Sequence, residues 1–349
     1  MSVKAPSNYF LQVIKQVMQR KSVVIAGSIL LLFYVLAIAA DVVAPYRFDN
    51  EDRRLSYAKP TPIHWVVNGQ ITAPFIYGTI DGFDQYHRRT FTEDQLRQYP
   101  IKFFQQGKLF SVEEPARLYI WGADSRGRDL FSRILYGARI SLTIGLIGAL
   151  ISFSIGLSLG AIAGYFGGWI DAVLMRICEA FMLVPGFYLM LALRAAVPPN
   201  FASWQVYIMV VVILSLIGWA SLARVIRGMS LSLRQRPYVD ASILLGLSHW
   251  QIILRHILPH TASYALVAVS LTIPSYILAE AGLSLLGLGI QDPVPSWGNM
   301  LADSMAIVVI QFAPWVLIPG LLILITVICF NIVGEAFRDG LDPLNNDKQ

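Results

Sequence analysis

Several residue patterns in this 349-residue chain could carry chemistry, and each has a physical requirement to meet. Gly156-Leu157-Ser158-Leu159-Gly160 has the spacing of a nucleophile elbow, which needs a sharp strand-to-helix turn. Here it lies inside a long apolar run, and the five histidines (64, 87, 249, 256 and 260) lie outside the clear apolar spans. His256 and His260 have the i, i+4 spacing of a zinc helix, yet Pro259 stands between them and no Glu follows His256. A phosphate-binding loop ends in Gly-Lys-Ser/Thr, whereas Gly107-Lys108 is followed by Leu109. Cys178 and Cys329 are too few for a disulfide framework or a Cys-based zinc site. Arg176 and Glu179, three apart, can neutralise each other on one helix face; a proton relay is the functional alternative. These patterns assemble no catalytic or metal centre, so the chain is expected to be no enzyme and to bind no cofactor.

The elements that must position these residues are membrane spans. The chain is 56% hydrophobic and 14% charged, with a mean hydropathy of +0.58, where soluble domains carry about 25% charged residues. About 20 helical residues cross a bilayer. Val23 to Ala40, Ile140 to Ile170, Ala195 to Ala223 (helical from near Trp204) and Ser304 to Gly334 are uncharged. Asp171 to Ala196, with Arg176, Glu179 and Arg194, and Ala262 to Leu283, with Pro274 and Glu280, complete six expected transmembrane helices. A surface helix is the alternative for Asp171 to Ala196, and Glu280 is expected to reach water from the end of its span. Gly156, Gly160 and Gly164 (with Gly168) recur every four residues, a stripe on which another helix can pack closely.

Basic residues set the orientation. Lys4, Lys15, Arg20 and Lys21 precede the first span, and Arg224, Arg227, Arg234, Arg236 and Arg255 follow the fourth. Both termini are therefore expected in the cytoplasm. The resulting division is a cytoplasmic segment 1–22, a first helix 23–43, a long external loop 44–138, a core 139–336 and a tail 337–349. The loop is turn-rich and aromatic, which points to an ordered subdomain.

Within the core, residues 224–260 interrupt the hydrophobic pattern for too long to be a simple connector. Tyr238 to Leu245 reads as a short helix, Gly246 as its C-terminal break, and His249 to Leu258 as a second short helix ended by Pro259. Two such helices on a basic surface could dock into a partner's groove or lie on lipid.

Asp240-Ala241-Ser242, Gly246 and His256-Ile257-Leu258-Pro259 resemble the EAA signature of bacterial ABC importer permeases, with Asp in place of Glu and Ser in place of the second Ala. The stretches Gly122 to Leu142, Leu283 to Gly289 and Pro295 to Ser304 resemble the C-type permease of the dipeptide/oligopeptide/nickel branch. In the first of these the matching residues are Gly122, Asp124, Gly127, Arg128, Asp129, Arg133 and Gly137.

The resemblance implies an all-α type I importer permease of the MetI-like fold, in the bacterial cytoplasmic (inner) membrane. It also implies partners: a second homologous permease, one or two ABC ATPases holding ATP and Mg2+, and an external solute-binding protein, but no nucleic acid. Asp240, Ala241, Ser242, Gly246, His256 and Pro259 would form the ATPase-coupling region. Peptides are the expected substrate, with nickel, glutathione and peptide antibiotics as alternatives; an ion-coupled transporter or channel is the competing class. The loop is longer than the family pattern, and Arg47 to Arg117 is expected to dock the binding protein or cap the path.

Overall fold

The computed structural model describes residues 14–67, 70–85, 89–105, 107–183, 185–195, 198 and 201–341. Lys4 and residues 342–349 of the tail lie outside them. In chain order the helices are α1 (Lys21–Ile38), α2 (Ala40–Val43), α3 (Leu130–Phe166), α4 (Gly168–Leu183), α5 (Gly186–Ala195) and α6 (Ser203–Arg234). They continue with α7 (Pro237–Leu244), α8 (His249–Ile252), α9 (Leu258–Leu285), α10 (Trp297–Met300), α11 (Ile307–Phe312) and α12 (Ile318–Leu341). Between α2 and α3 the described residues form five strands, β1 (His64–Val67), β2 (Gln70–Phe83), β3 (Arg89–Pro100), β4 (Lys102–Gln105) and β5 (Lys108–Ser111).

Among the described residues, five segments are long and apolar enough to cross a membrane: Lys21–Ile38, Leu130–Phe166, Ser203–Arg234, Tyr264–Leu285 and Pro314–Gly340. They coincide with five of the six expected spans. The remaining segment divides into α4 and α5, and α4 carries Asp171, Arg176 and Glu179 within its 16 residues.

Two compact units interleave along the chain. One comprises Met1–Leu31, Leu142–Glu280 and Leu324–Gln349, the other Leu32–Ser141 and Ala281–Ile323. In the first, the α3 glycines set helix spacing. A Cβ on Gly156, Gly160 or Gly164 would lie 2.9, 2.5 or 2.4 Å from the carbonyl oxygens of Trp219, Ala223 and Arg227 on α6. Those separations are below van der Waals contact, so the two backbones approach along a face that only hydrogen can line. Gly168 lies off this stripe, with open space around it. Helix α4 packs on α6 through Cys178, Trp219, Ala220 and Ala223. Arg227 on α6 donates to Asp171, Nε to Oδ1 at 2.8 Å. Arg176 and Glu179 do pair, at 3.0 Å, on an exposed face.

The second unit holds the expected external subdomain, and it is not helical. β1, β2 and β3 form an antiparallel sheet in that order, and β4 pairs with β5. The expectation of an all-α chain fails here because residues 70–83 carry alternating β-branched and aromatic residues (Ile71, Phe75, Tyr77, Thr79), the period-two signature of a strand. Ile76, Ile101, Ala116 and Leu118 form the small core beneath the sheet.

Two further expectations are corrected. Glu280 does not reach water: it lies inside α9, which runs on to Leu285, on a face that is completely buried. Pro259 does not end a helix. A π-helical turn over Ile253–Ile257 joins α8 directly to α9, with the Leu258 N–H donating to the Ile253 carbonyl. The wider π turn relieves the clash a proline ring makes with the carbonyl four residues back, so Pro259 sits in the opening turn of α9.

Candidate functional site

Helix α7 begins with Pro237 at its first position, where the missing N–H has no partner to lose. Its end is a Schellman motif. The Leu247 N–H donates to the Ser242 carbonyl (3.2 Å) and the Gly246 N–H to the Ile243 carbonyl (2.9 Å), with Gly246 at φ +80°. Two residues on, Ser248 caps α8: its hydroxyl accepts from the Gln251 N–H (3.3 Å) while Gln251 Oε1 accepts from the Ser248 N–H (2.9 Å). Both ends of the turn are thus fixed by local hydrogen bonds.

The short helix is anchored on one side only. Val239 packs with Ile226, Ile252, Ile253 and Ile257 in one buried cluster. Ser242, also buried, donates to the Tyr238 carbonyl (2.8 Å) and lies 3.4 Å from His256 Nε2. The Tyr238 ring meets His256 at 6.0 Å and His260 at 6.1 Å between centroids. The other side faces outward: Asp240, Ala241, Gly246 and Pro259 are exposed, and Leu244 and Leu245 are 87% and 80% exposed. The outward surface thus carries a carboxylate on α7 and two leucines at its C-terminal end. Of the six expected coupling residues, Asp240, Ala241 and Gly246 share this outer surface, Ser242 and His256 form its footing, and Pro259 lies at the start of the next helix.

The charged residues of the second expected group gather into a lattice in the other unit, with Asp124, Arg128 and Arg133 buried and Asp292 at its exposed edge. Asp124 Oδ1 accepts from the Arg126 and Arg128 N–H groups (2.9 and 3.0 Å), and Oδ2 from Arg128 Nε (2.7 Å). Arg133 Nε lies 3.3 Å from the same Oδ2. Arg128 and Arg133 converge from the other side on Asp292, each with a 3.0 Å contact to Oδ1. Arg128 and Arg133 are about as buried as core leucines, at 3% and 2% exposure. Burial would raise the Asp292 carboxyl, but the Arg128 hydrogen bond and the charges of Arg133, Arg128 and Arg126 more than offset that and hold it below the ordinary carboxylate range.

Asp129 sits at the head of α3, where its Oδ2 accepts from the Ser132 N–H and hydroxyl (2.8 and 2.6 Å). Among the described residues no cation pairs with it, and desolvation pushes its pKa up to about 7. Gly127, at φ +71°, leaves room for the Asp52 carbonyl, which a Cβ would meet at 1.9 Å. Gly122 faces the Trp315 indole in the same way, and Gly137 lies under Trp297. Sequence reasoning missed Asp292. Its one visible signal was an isolated charge in an apolar connection.

A cavity of about 190 Å³ opens among α3, α6 and α9 of the first unit, with Ser152, Gly218, Ser221, Tyr264 and Thr272 on its wall. The Ser152 hydroxyl is 2.7 Å from that of Tyr276. Phe153, Leu222, Val225 and Val269 also line it, so the wall is uncharged and mostly apolar with four hydroxyls set into it. Among the described residues, no group of three or more His, Cys, Asp or Glu could hold a metal ion.

Helices long and apolar enough to cross a membrane describe a membrane protein, and comparison with known proteins supplies its family. Residues 156–346 match the family model for the binding-protein-dependent transport system inner membrane component. The match covers more than half of the chain, and the chain belongs to that family. Residues 8–60 match the N-terminal TM domain of oligopeptide transport permease C. The glutathione transport system permease protein of Pectobacterium atrosepticum is 42% identical over 66% of this chain and 74% of its own length. The oligopeptide transport system permease protein of Haemophilus influenzae is 40% identical over 64% and 70%. Among solved structures, an inward-facing MetNI methionine ABC transporter chain aligns with 61% of this chain and 98% of its own at 18% identity, TM-score 0.44.

Proposed function

We propose that this permease is the membrane subunit of an ATP-driven importer for peptides in the bacterial inner membrane. It crosses the membrane six times, α4 and α5 together supplying the span beyond the five apolar helices, with both termini in the cytoplasm. It works beside a second homologous permease, one or two ATPases that hold ATP and Mg2+, and an external binding protein that delivers the peptide. The β subdomain receives that binding protein. The observation that carries the reading is the outward face of α7: Asp240, Ala241, Leu244 and Leu245 exposed on a helix whose opposite side is fastened by Val239 and Ser242. Such a surface engages an ATPase groove, and the π turn passes its displacement into α9. The substrate class follows from the oligopeptide and glutathione permeases among the relatives and from the uncharged cavity wall, whose hydroxyls suit a peptide backbone.

The test is uptake into proteoliposomes containing the complete complex. ATP-dependent accumulation of a radiolabelled di- or tripeptide, abolished when the ATPases are omitted, supports the proposal. Accumulation by the permease alone under a proton or sodium gradient overturns it.

A further inference from the structure

Residues 237–257 are continuous with α6 and α9, so a displacement of α7 reaches those helices through the backbone. Helix α3 has no such covalent link, since Tyr165 and His249 lie 84 residues apart. Yet the last turn of α3 meets this segment at a closely built junction. The Tyr165 hydroxyl and His249 Nδ1 are 2.8 Å apart. The His249 ring packs on Tyr165 and Phe166 with centroids at 5.7 and 5.8 Å, and Trp250 meets Phe166 at 6.1 Å. Tyr165 is buried in the same cluster as Val239, Ile252 and Ile257. Arg234 donates to the Phe166 carbonyl (3.3 Å), and α3 stops there, Gly167 and Gly168 both having positive φ. The Ser248 cap fixes the start of α8 and therefore the place from which His249 reaches.

We infer that Tyr165 and His249 are positioning residues of transport: a strut that makes α3 move with the coupling segment. The inference rests on the coupling role proposed above. Packed helices switch between discrete arrangements and do not deform smoothly. A directed hydrogen bond at the end of a 37-residue helix therefore sets how closely that end follows. The glycine stripe already locks α3 to α6, so with the strut closed the three elements shift as one body. With it open, α3 is held through α6 alone, its end at the coupling segment no longer keeps step with that segment, and less peptide is moved for each ATP hydrolysed.

The experiment uses the complete complex in proteoliposomes and reads peptide transported per ATP hydrolysed for wild type, Tyr165→Phe, His249→Phe and His249→Asn. Tyr165→Phe and His249→Phe keep aromatic packing and remove the hydrogen bond. Each is expected to lower the ratio about three- to tenfold, the range that one net hydrogen bond supports, while ATP hydrolysis persists. His249→Asn, whose amide reaches about as far as Nδ1, is expected to restore most of the ratio. An unchanged ratio in Tyr165→Phe overturns the strut, as does a proportional fall of uptake and hydrolysis, or Asn behaving like Phe. A wild-type complex that hydrolyses ATP without driven uptake would refute the coupling role itself, and the strut with it.

Discussion

Substitution at Gly246 separates backbone strain from surface contact. The residue sits at φ +80° with open space around its Cα, so a Cβ there meets nothing in this chain. Only the left-handed conformation resists substitution, by roughly 1–2 kcal/mol for an L-residue, least for Asn and most for a β-branched side chain. Helix α7 has eight residues, too few to hold itself without its caps and packing. A loss of that size therefore opens the Schellman turn about 5- to 30-fold more often. The expected order of damage is Asn, then Ala, then Val. Hydrogen exchange at the Leu247 amide, which donates to the Ser242 carbonyl, reports the turn, and ATP-driven uptake reports the consequence. Normal amide protection and normal uptake in Gly246→Val would refute the reasoning. Equal damage from Asn and Val would show that bulk at a partner surface, not φ, limits this position.

Four other substitutions probe the rest of the molecule. Gly160→Val forces α3 from α6 and is expected to destabilise by about 1–3 kcal/mol as overpacking does, whereas Gly228→Ala, with open space around it, is expected to be neutral; thermal melts of the detergent-solubilised complex decide. Asp292→Ala removes charged hydrogen bonds from Arg128 and Arg133, which keep Asp124, and is expected to cost about 1.5–3 kcal/mol, read as a lower melting temperature. The Asp129 carboxyl is raised from 3.8 to about 7, so the fold favours its neutral form. The stability this contributes is intact below about pH 4 and is lost as pH rises through 7, up to about 4 kcal/mol in all. Asp129→Asn, which cannot ionise, is expected to flatten the melting temperature between pH 4 and 8 relative to wild type; parallel curves would contradict the assignment.

How far the sequence discloses this molecule depends on whether a feature is local. The five spanning helices are legible because an uncharged run longer than 18 residues has few alternatives. The turn at Gly246 is legible for a similar reason: glycine between a short helix and a serine cap has one common use. Pro259 misleads because its effect depends on its place in a helix, and the π turn that admits it leaves no mark in composition. The strands between β1 and β5 stay hidden while the chain's high hydropathy draws attention to helices, although the alternation from Ile71 to Thr79 is present. The charge lattice and the Tyr165–His249 contact are tertiary. Asp292 lies 159 residues from Arg133, and no local rule pairs them.

Cross-linking from α7 examines the coupling surface itself. Cys178 and Cys329 are both buried, so a single cysteine in place of Leu244, which is 87% exposed, offers a thiol at the surface against little background. In the assembled complex, Leu244→Cys carrying a short photoactivatable reagent is expected to give an adduct with the ATPase subunit, its yield changing when ATP is added. An adduct with lipid alone, in a complex that still imports peptide, would show that this face lies on the membrane and that the drive enters elsewhere.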